Sequence, residues 1–98
     1  MKKFKMRFTP GASRLLSKFH PENKKLIKKA LLTIQQNPYQ GHDLQEELQG
    51  FKSSRSSRYR IIYAINEEQG FIQIYYVGHR RSVYEQFRRL LKGLQARH

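Results

Sequence analysis

Two apolar runs decide the fold: RYRIIYAI at residues 58–65 and GFIQIYYV at residues 70–77. Both runs are rich in Ile, Tyr and Val, which favour strands, and the polar NEEQG corner between them is typical of a hairpin turn. The segment FKSSR at residues 51–55 comes just before them and predicts a third strand. The sequence therefore predicts an antiparallel three-stranded meander at the centre of a sheet.

The segments on either side of this meander predict one more strand and three helices. KFKMRF at residues 3–8 alternates basic and apolar residues, as a half-buried strand does. A short helix with Leu15, Leu16 and Phe19 on its apolar side follows, and a second helix begins at Pro21 and runs to Asn37. Two helices show apolar residues at spacings of three and four: Leu26, Ile27, Ala30, Leu31 and Ile34 in the second helix, and Val83, Phe87, Leu90, Leu91 and Leu94 in the C-terminal one.

The order strand, helix, helix, three strands, helix predicts an α+β fold. A chain of 98 residues organises one modest core, so we expect a single domain over residues 1–98. We expect the first two helices to form an antiparallel hairpin, and residues 39–50 to be a loop with one weak helical turn. We also expect the helices to pack on one face of the sheet, which leaves the other face free to bind a partner.

Charge is the most unusual feature of the composition. Twenty Lys and Arg residues oppose seven Asp and Glu residues, for a formal charge of +13, so an acidic partner is expected, either a polyanion or an acidic protein. The chain has no cysteine, which excludes disulfides and thiolate sites, and its four scattered histidines predict neither a metal site nor a cofactor. No long apolar segment or signal peptide is evident, so we expect a cytoplasmic protein without a membrane partner.

Arginines concentrate around the start of the strand at residues 58–65. Strand alternation places Arg60 on the face opposite Tyr59 and Ile61. Arg80 and Arg81 leave the next strand at the same end of the sheet, so these side chains are expected to converge, together with Arg55 and Arg58. Like charges held together need an anion among them, and phosphate suits the bidentate donors of arginine. The simpler alternative is a solvated edge whose charges prevent strand pairing.

The segments LQGFKSSRSSRYRIIYAI at 48–65 and YVGHRRSVY at 76–84 resemble the RelE/ParE superfamily of type II toxin–antitoxin toxins. The predicted order of elements is similar to that fold over nearly the whole chain. RelE-like members cleave mRNA, generally on the ribosome, by activating a ribose 2′-hydroxyl to attack the adjacent phosphate. ParE-like members instead poison DNA gyrase. The motifs are typical of the superfamily more than of either activity.

The resemblance implies roles for several residues. Arg60 matches an arginine that stabilises the phosphorane, and Arg80 matches one that holds the phosphate or assists the leaving group. Tyr84 lies near a tyrosine that stacks on the base, although its spacing from Arg80 is shorter than in RelE. Lys52 matches one of two strand lysines of RelE. Further RNA or phosphate contacts are expected from Arg55, Arg58, His79 and Arg81.

The general base is where the chain departs from the RelE pattern. RelE alternates two lysines on the strand before its Tyr-Arg pair, whereas this chain offers Lys52 and then Ser53, Ser54 and Arg55. Arginine does not readily give up a proton, so Arg55 serves only as a phosphate ligand. Related toxins use a carboxylate or a histidine of the preceding loop, which makes His42, Glu46 and Glu47 candidates. Histidine changes protonation near neutral pH, which suits His42 to base catalysis.

Three functions therefore remain open. The first is an endoribonuclease toxin that acts on mRNA in the ribosomal A site, and the second is a ParE-like toxin that inhibits gyrase and cleaves nothing. The third is a nucleic-acid-binding module without activity, which the composition alone permits. Both toxin hypotheses predict an acidic antitoxin partner that is partly disordered alone and covers the basic face.

Overall fold

The computed structural model describes residues 4–95, so Lys3 of the predicted first strand lies outside the described residues. Short 3-10 turns occupy Pro38–Gln40 and Glu46–Leu48. The helices and strands in chain order are β1 (Lys5–Phe8), α1 (Pro10–Ser17), α2 (Pro21–Gln36), β2 (His42–Asp43), β3 (Lys52–Ser56), β4 (Tyr59–Asn66), β5 (Phe71–His79) and α3 (Val83–Gln95).

Local signals start the first two helices where the sequence predicts, whereas α1 ends at Ser17 and so does not reach Phe19. The Thr9 hydroxyl accepts a hydrogen bond from the Ala12 N–H at 3.0 Å, which caps α1, and Pro10 occupies its first turn. Pro21 begins α2, and the chain leaves that helix at Asn37, ahead of Pro38. The predicted helical hairpin is confirmed.

The described strands form one five-stranded sheet in the order β1-β5-β4-β3-β2. Strand β1 pairs parallel to β5, and the remaining pairs are antiparallel. The predicted meander is confirmed as β3–β4–β5. The segment predicted as a loop adds the two-residue strand β2, in which His42 lies opposite Ser53, and the turn at Glu46–Leu48 corresponds to the predicted helical turn.

The α+β class is confirmed, but the prediction that all helices share one sheet face is wrong for α3. Helices α1 and α2 cover the face that carries Ile61 and Tyr63. Helix α3 packs through Val83 and Phe87 on the opposite face, which carries Ile62. Strand β4 is thus apolar on both faces, and each face is covered by helix.

An irregularity in β5 explains why α3 finds an apolar platform. Ile62 pairs with Tyr76 and Tyr63 pairs with Ile74, so Tyr75 has no partner in the register and the strand bulges there. The bulge lets Tyr75 and Tyr76 both pack on the α3 side. The sheet face that was expected to be free is therefore occupied, and the open surface lies at the end of the sheet.

Candidate functional site

A basic cavity lies at the end of the sheet where β3 turns into β4 and where β5 ends. Its volume is about 560 Å³. We call it the arginine cavity, and its lining residues are Arg55, Ser57, Arg58, His79, Arg80 and Arg81. All except Ser57 are residues that the sequence singled out, so the structure brings four of the five predicted arginines and His79 into one site.

Two backbone features build this cavity. Ser57 has a φ of 56°, in the left-handed region, which lets β3 reverse into β4 within two residues. The Arg80 N–H donates to the Arg58 carbonyl oxygen at 2.8 Å, which holds the chain leaving β5 against this turn. The Arg81 N–H donates to Nδ1 of His79 at 3.3 Å. The turn and the end of β5 are thereby held as opposite walls of the cavity.

Arg60, the fifth arginine, does not line the cavity but lies beside it. Its register partners are Arg55 on β3 and Gly78 on β5, so Arg55 and Arg60 project on the same face. Gly78 is buried, and a methyl group there would lie 3.1 Å from Cγ2 of Val83. The start of α3 therefore sits close to the half-buried Arg60.

No carboxylate among the described residues compensates these arginines. Ion pairs within residues 4–95 join Lys52 to Asp43, Arg88 to Glu47 and Arg89 to Glu85. None of these pairs includes an arginine of the cavity or Arg60. Uncompensated like charges repel one another, and an anion among them would relieve that repulsion.

Tyr84 reaches the arginine face through a residue that sequence reasoning did not select. The hydroxyls of Tyr84 and Ser53 share a hydrogen bond at 2.8 Å, and Ser53 is fully buried. Ser53 precedes Arg55 by two positions on β3, which puts both on the same face about 7 Å apart along the strand. The alternation of Ser53 and Arg55 was the signal in the sequence that could have identified this residue.

Lys52 lies away from the arginine cavity. It pairs with Tyr63 in the register, on the face opposite to Arg55 and Arg60. Its Nζ lies 2.7 Å from Oδ1 of Asp43. The structure therefore does not bring Lys52 together with the other predicted site residues.

Of the base candidates, His42 shares a cavity lining with one of the arginines. It is exposed, pairs with Ser53 across β2 and β3, and lines a second, smaller cavity together with Arg55. Glu47 is instead paired with Arg88 of α3. A backbone hydrogen bond, with the nearby Arg88 guanidinium, holds the pKa of Glu47 below its usual range, which makes this carboxylate a weaker base. Glu46 is exposed in the adjacent 3-10 turn.

Comparison with known proteins decides the family. The family model for the ParE toxin of the type II toxin–antitoxin system, parDE, matches residues 7–84. The chain belongs to this family of toxins. The RelBE2 toxin–antitoxin complex from Mycobacterium tuberculosis contains a chain that is 31% identical, with a TM-score of 0.73. That alignment covers 80% of the toxin and 99% of the M. tuberculosis chain.

More distant structures share the fold. The isolated RelE toxin of Escherichia coli is 20% identical over 90% of this toxin and 98% of that chain, with a TM-score of 0.69. The YoeB–YefM complex from Staphylococcus aureus contains a chain 22% identical over 78% of this toxin and 95% of that chain, with a TM-score of 0.63. No curated protein sequence matches the toxin. The predicted membership of the RelE/ParE superfamily is confirmed.

A buried tyrosine holds the segment that carries His42. The Tyr63 hydroxyl donates to the Pro38 carbonyl oxygen at 2.6 Å, and burial raises the pKa of Tyr63 to about 12. Gly41 packs directly on this hydroxyl. Together with the ion pair between Asp43 and Lys52, these contacts fix β2 against β3.

The described part of the toxin offers no cluster suited to a metal ion. Within residues 4–95, no three His, Cys, Asp or Glu side chains come together as ligands. None of the helices in the same residues is long and apolar enough to cross a membrane. The side chains at the candidate site itself are those of arginine, tyrosine, serine and histidine.

Proposed function

We propose that the toxin is an endoribonuclease that cleaves mRNA on the ribosome and so inhibits translation. The arginine cavity carries this proposal, because four guanidinium groups without a carboxylate partner among the described residues suit a phosphodiester. The resemblance to RelE, whose relatives cleave mRNA, supports the same reaction. We propose the cytoplasm as the location, because the proposed substrate is mRNA bound to translating ribosomes.

The reaction follows from the position of the arginines. The ribose 2′-oxygen attacks the adjacent phosphorus, the new O2′–P bond forms as the P–O5′ bond breaks, and a cyclic phosphate and a free 5′-hydroxyl result. Arg80 and its neighbours in the cavity bind the phosphate oxygens, while Arg60 stabilises the charge that develops on the phosphorane. Removal of one such donor typically lowers the rate about 100- to 1,000-fold. No metal or other cofactor takes part.

Tyr84 is the residue that orients the nucleotide. Its hydroxyl is hydrogen-bonded to Ser53, which holds the end of the ring near β3, the strand that also carries Arg55. A fixed aromatic ring offers a stacking surface that holds an unpaired base. In-line attack requires such orientation, because the 2′-oxygen has to approach opposite the leaving 5′-oxygen.

We propose His42 as the base that removes the 2′-hydroxyl proton. It faces the same side of the sheet as Ser53, two positions along from Arg55, whereas Lys52 is turned to the opposite face. The leaving 5′-oxygen takes up a proton from solvent, while Arg80 stabilises its negative charge, and His42 later returns its own proton to solvent. The arginines supply most of the rate in this scheme, and the base contributes a smaller factor.

An antitoxin is the expected protein partner. The structures from M. tuberculosis and S. aureus named above are of toxin–antitoxin complexes. The formal charge of +13 favours an acidic partner, and the exposed arginine cavity gives that partner a surface whose coverage would block the mRNA. Attraction between opposite charges also speeds the encounter.

A second candidate function is inhibition of DNA gyrase without cleavage. The matching family model is that of ParE, and the strand position that would carry a basic lysine beside Arg55 is the buried Ser53. Both observations favour a toxin that binds its target but does not cut RNA. The arginine cavity and Tyr84 favour the endoribonuclease.

Primer extension on mRNA in a reconstituted translation reaction tests the proposal. We expect codon-positioned cuts with the wild type and at least a 100-fold loss in Arg60→Ala and in Arg80→Ala. Arg14→Ala is the matched control, because Arg14 is an exposed arginine on α1, outside the cavity, and should cut normally. Intact mRNA with the wild type would refute the endoribonuclease, and equal loss in all three variants would refute the role of the cavity.

A further inference from the structure

A second cavity, about 200 Å³ in volume, lies between α2 and the outer edge of β3. We call it the edge pocket. Its polar lining comes from Thr33 of α2, Gln40, His42 of β2, and Ser53, Ser54 and Arg55 of β3. No acidic residue lines it, and its side chains include both hydrogen-bond donors and acceptors.

Arg55 lines both the edge pocket and the arginine cavity. The two cavities are therefore neighbours that share this residue at the edge of β3. The smaller pocket is thus placed where the group next to a bound phosphate would go. In a ribonucleotide that group is the sugar with its base.

We propose that the edge pocket binds a nucleobase of the RNA, with Gln40 as the residue that recognises it. The inference rests on the proposed function, which it extends to base recognition. The Gln40 Nε2 donates to the Ser54 hydroxyl at 3.2 Å, which positions the amide and leaves its carbonyl oxygen and second N–H for a ligand. An amide of this kind pairs in a bidentate manner with adenine, and proteins read the edges of unstacked bases in single-stranded RNA.

The geometry of β3 favours a base over an added peptide strand. Strand β2 covers only Lys52 and Ser53, so β3 has no strand partner on its outer side from Ser54 to Ser56 among the described residues. The Ser56 hydroxyl, however, donates to the Leu26 carbonyl oxygen of α2 at 3.2 Å. Helix α2 therefore closes the edge one residue beyond Arg55, which leaves a pocket rather than a groove for an extended chain.

Backbone NMR titrations with 5′-AMP, ribose 5-phosphate and inorganic phosphate test this inference without cleavage. We expect all three probes to shift the amide signals of Arg58 and Arg80. Only 5′-AMP should also shift those of Gln40, His42 and Ser54. If 5′-AMP shifts no more of the edge pocket than ribose 5-phosphate does, the pocket does not bind the base.

Variants of Gln40 separate recognition from folding. Loss of one or two hydrogen bonds should weaken 5′-AMP binding by roughly fivefold to tenfold in Gln40→Ala and leave ribose 5-phosphate binding unchanged. Gln40→Glu keeps the size of the side chain and should weaken 5′-AMP binding by a similar factor. Gln36→Ala is the matched control, since Gln36 is an exposed residue at the end of α2 outside the pocket. Unchanged 5′-AMP affinity in both Gln40 variants would overturn the inference.

Cleavage patterns distinguish this inference from the proposed function. If the wild type cuts mRNA and Gln40→Ala cuts at the same codons with the same distribution, the base-recognition role fails while the endoribonuclease stands. If the wild type leaves mRNA intact, the endoribonuclease fails, and the nucleotide titration still decides whether the edge pocket binds a base. If Gln40→Ala cuts at a changed distribution of codons while Gln36→Ala cuts as the wild type does, the result supports both the endoribonuclease and base recognition by the edge pocket.

Discussion

Replacement of Gly41 by alanine should be among the most destabilising single-methyl changes in this toxin. The added methyl group would overlap the Tyr63 hydroxyl and lie 3.0 Å from both the Tyr63 ring carbon Cζ and the Ser53 carbonyl oxygen. Gly41 has a φ of −72°, which any residue adopts, so the requirement for glycine comes from space alone. Tyr63 is fully buried and cannot move aside without leaving the core.

The magnitude follows from two costs. Overpacking a close-packed site costs about 1–3 kcal/mol. Displacing the Tyr63 hydroxyl breaks its bond to the Pro38 carbonyl oxygen and leaves buried polar groups unpaired, for about 1–3 kcal/mol more. We expect Gly41→Ala to lower the free energy of unfolding by about 2–6 kcal/mol, and the melting temperature by roughly 4–8 °C for each kcal/mol.

Urea and thermal unfolding followed by circular dichroism measure this effect, and a double-mutant cycle isolates its cause. In the Tyr63→Phe background the overlapping oxygen is gone, so Gly41→Ala should cost about 1–2 kcal/mol less than in the wild type. If the losses in unfolding free energy of Gly41→Ala and Tyr63→Phe simply add in the double variant, the proposed clash between the two residues is refuted. A loss under about 0.5 kcal/mol for Gly41→Ala alone would show that the segment of His42 is not held as described.

Three other predictions follow from the same contacts. Because the pKa of Tyr63 is raised to about 12, its contribution to stability is complete below pH 10 and is lost as the pH rises through 12. In urea titrations over that pH range, the free energy of unfolding of the wild type should therefore fall by about 2–3 kcal/mol relative to that of Tyr63→Phe. Ser53→Ala frees the Tyr84 hydroxyl and should reduce mRNA cleavage as much as Tyr84→Phe does, and cleavage that survives only in Ser53→Ala would contradict the positioning role. Glu47→Gln should cleave at the wild-type rate, because Glu47 is paired with Arg88, and a large loss in primer extension would restore Glu47 as the base.

The sequence predicted the elements that depend on local pattern. The alternation and β-branched content of β4 and β5, with the polar corner between them, determined the meander, and the prolines determined where α2 begins and ends. The face of each residue on β4 was also predictable, since Arg60 and Ile61 alternate along one strand. These features need no knowledge of distant contacts.

The positions that prediction missed depend on long-range pairing. Lys52 looked equivalent to a catalytic lysine, but the two-residue turn at Ser57 pairs Arg55 with Arg60 and so sends Lys52 to the other face. Alternation along β3 separates Lys52 from Arg55, but only the register shows that Arg55 shares a face with Arg60, and the register depends on the turn. Ser53 acquired its place at the site for the same reason.

The location of α3 was missed because an amphipathic helix does not reveal which sheet face it covers. Strand β4 has Ile61 on one face and Ile62 on the other, so either face could pack against an apolar helix. The bulge at Tyr75 favours the face of Ile62 for α3, because it places two tyrosines there. Strand β2 was missed because two residues are too few for a period. Both results come from packing between distant segments.

One wild-type preparation assayed in parallel for mRNA cleavage during translation and for gyrase supercoiling tests the central claim most directly. We expect codon-positioned cuts that Arg80→Ala abolishes and Arg14→Ala retains, with gyrase supercoiling unaffected. Intact mRNA together with inhibited supercoiling would refute the endoribonuclease and favour the gyrase inhibitor.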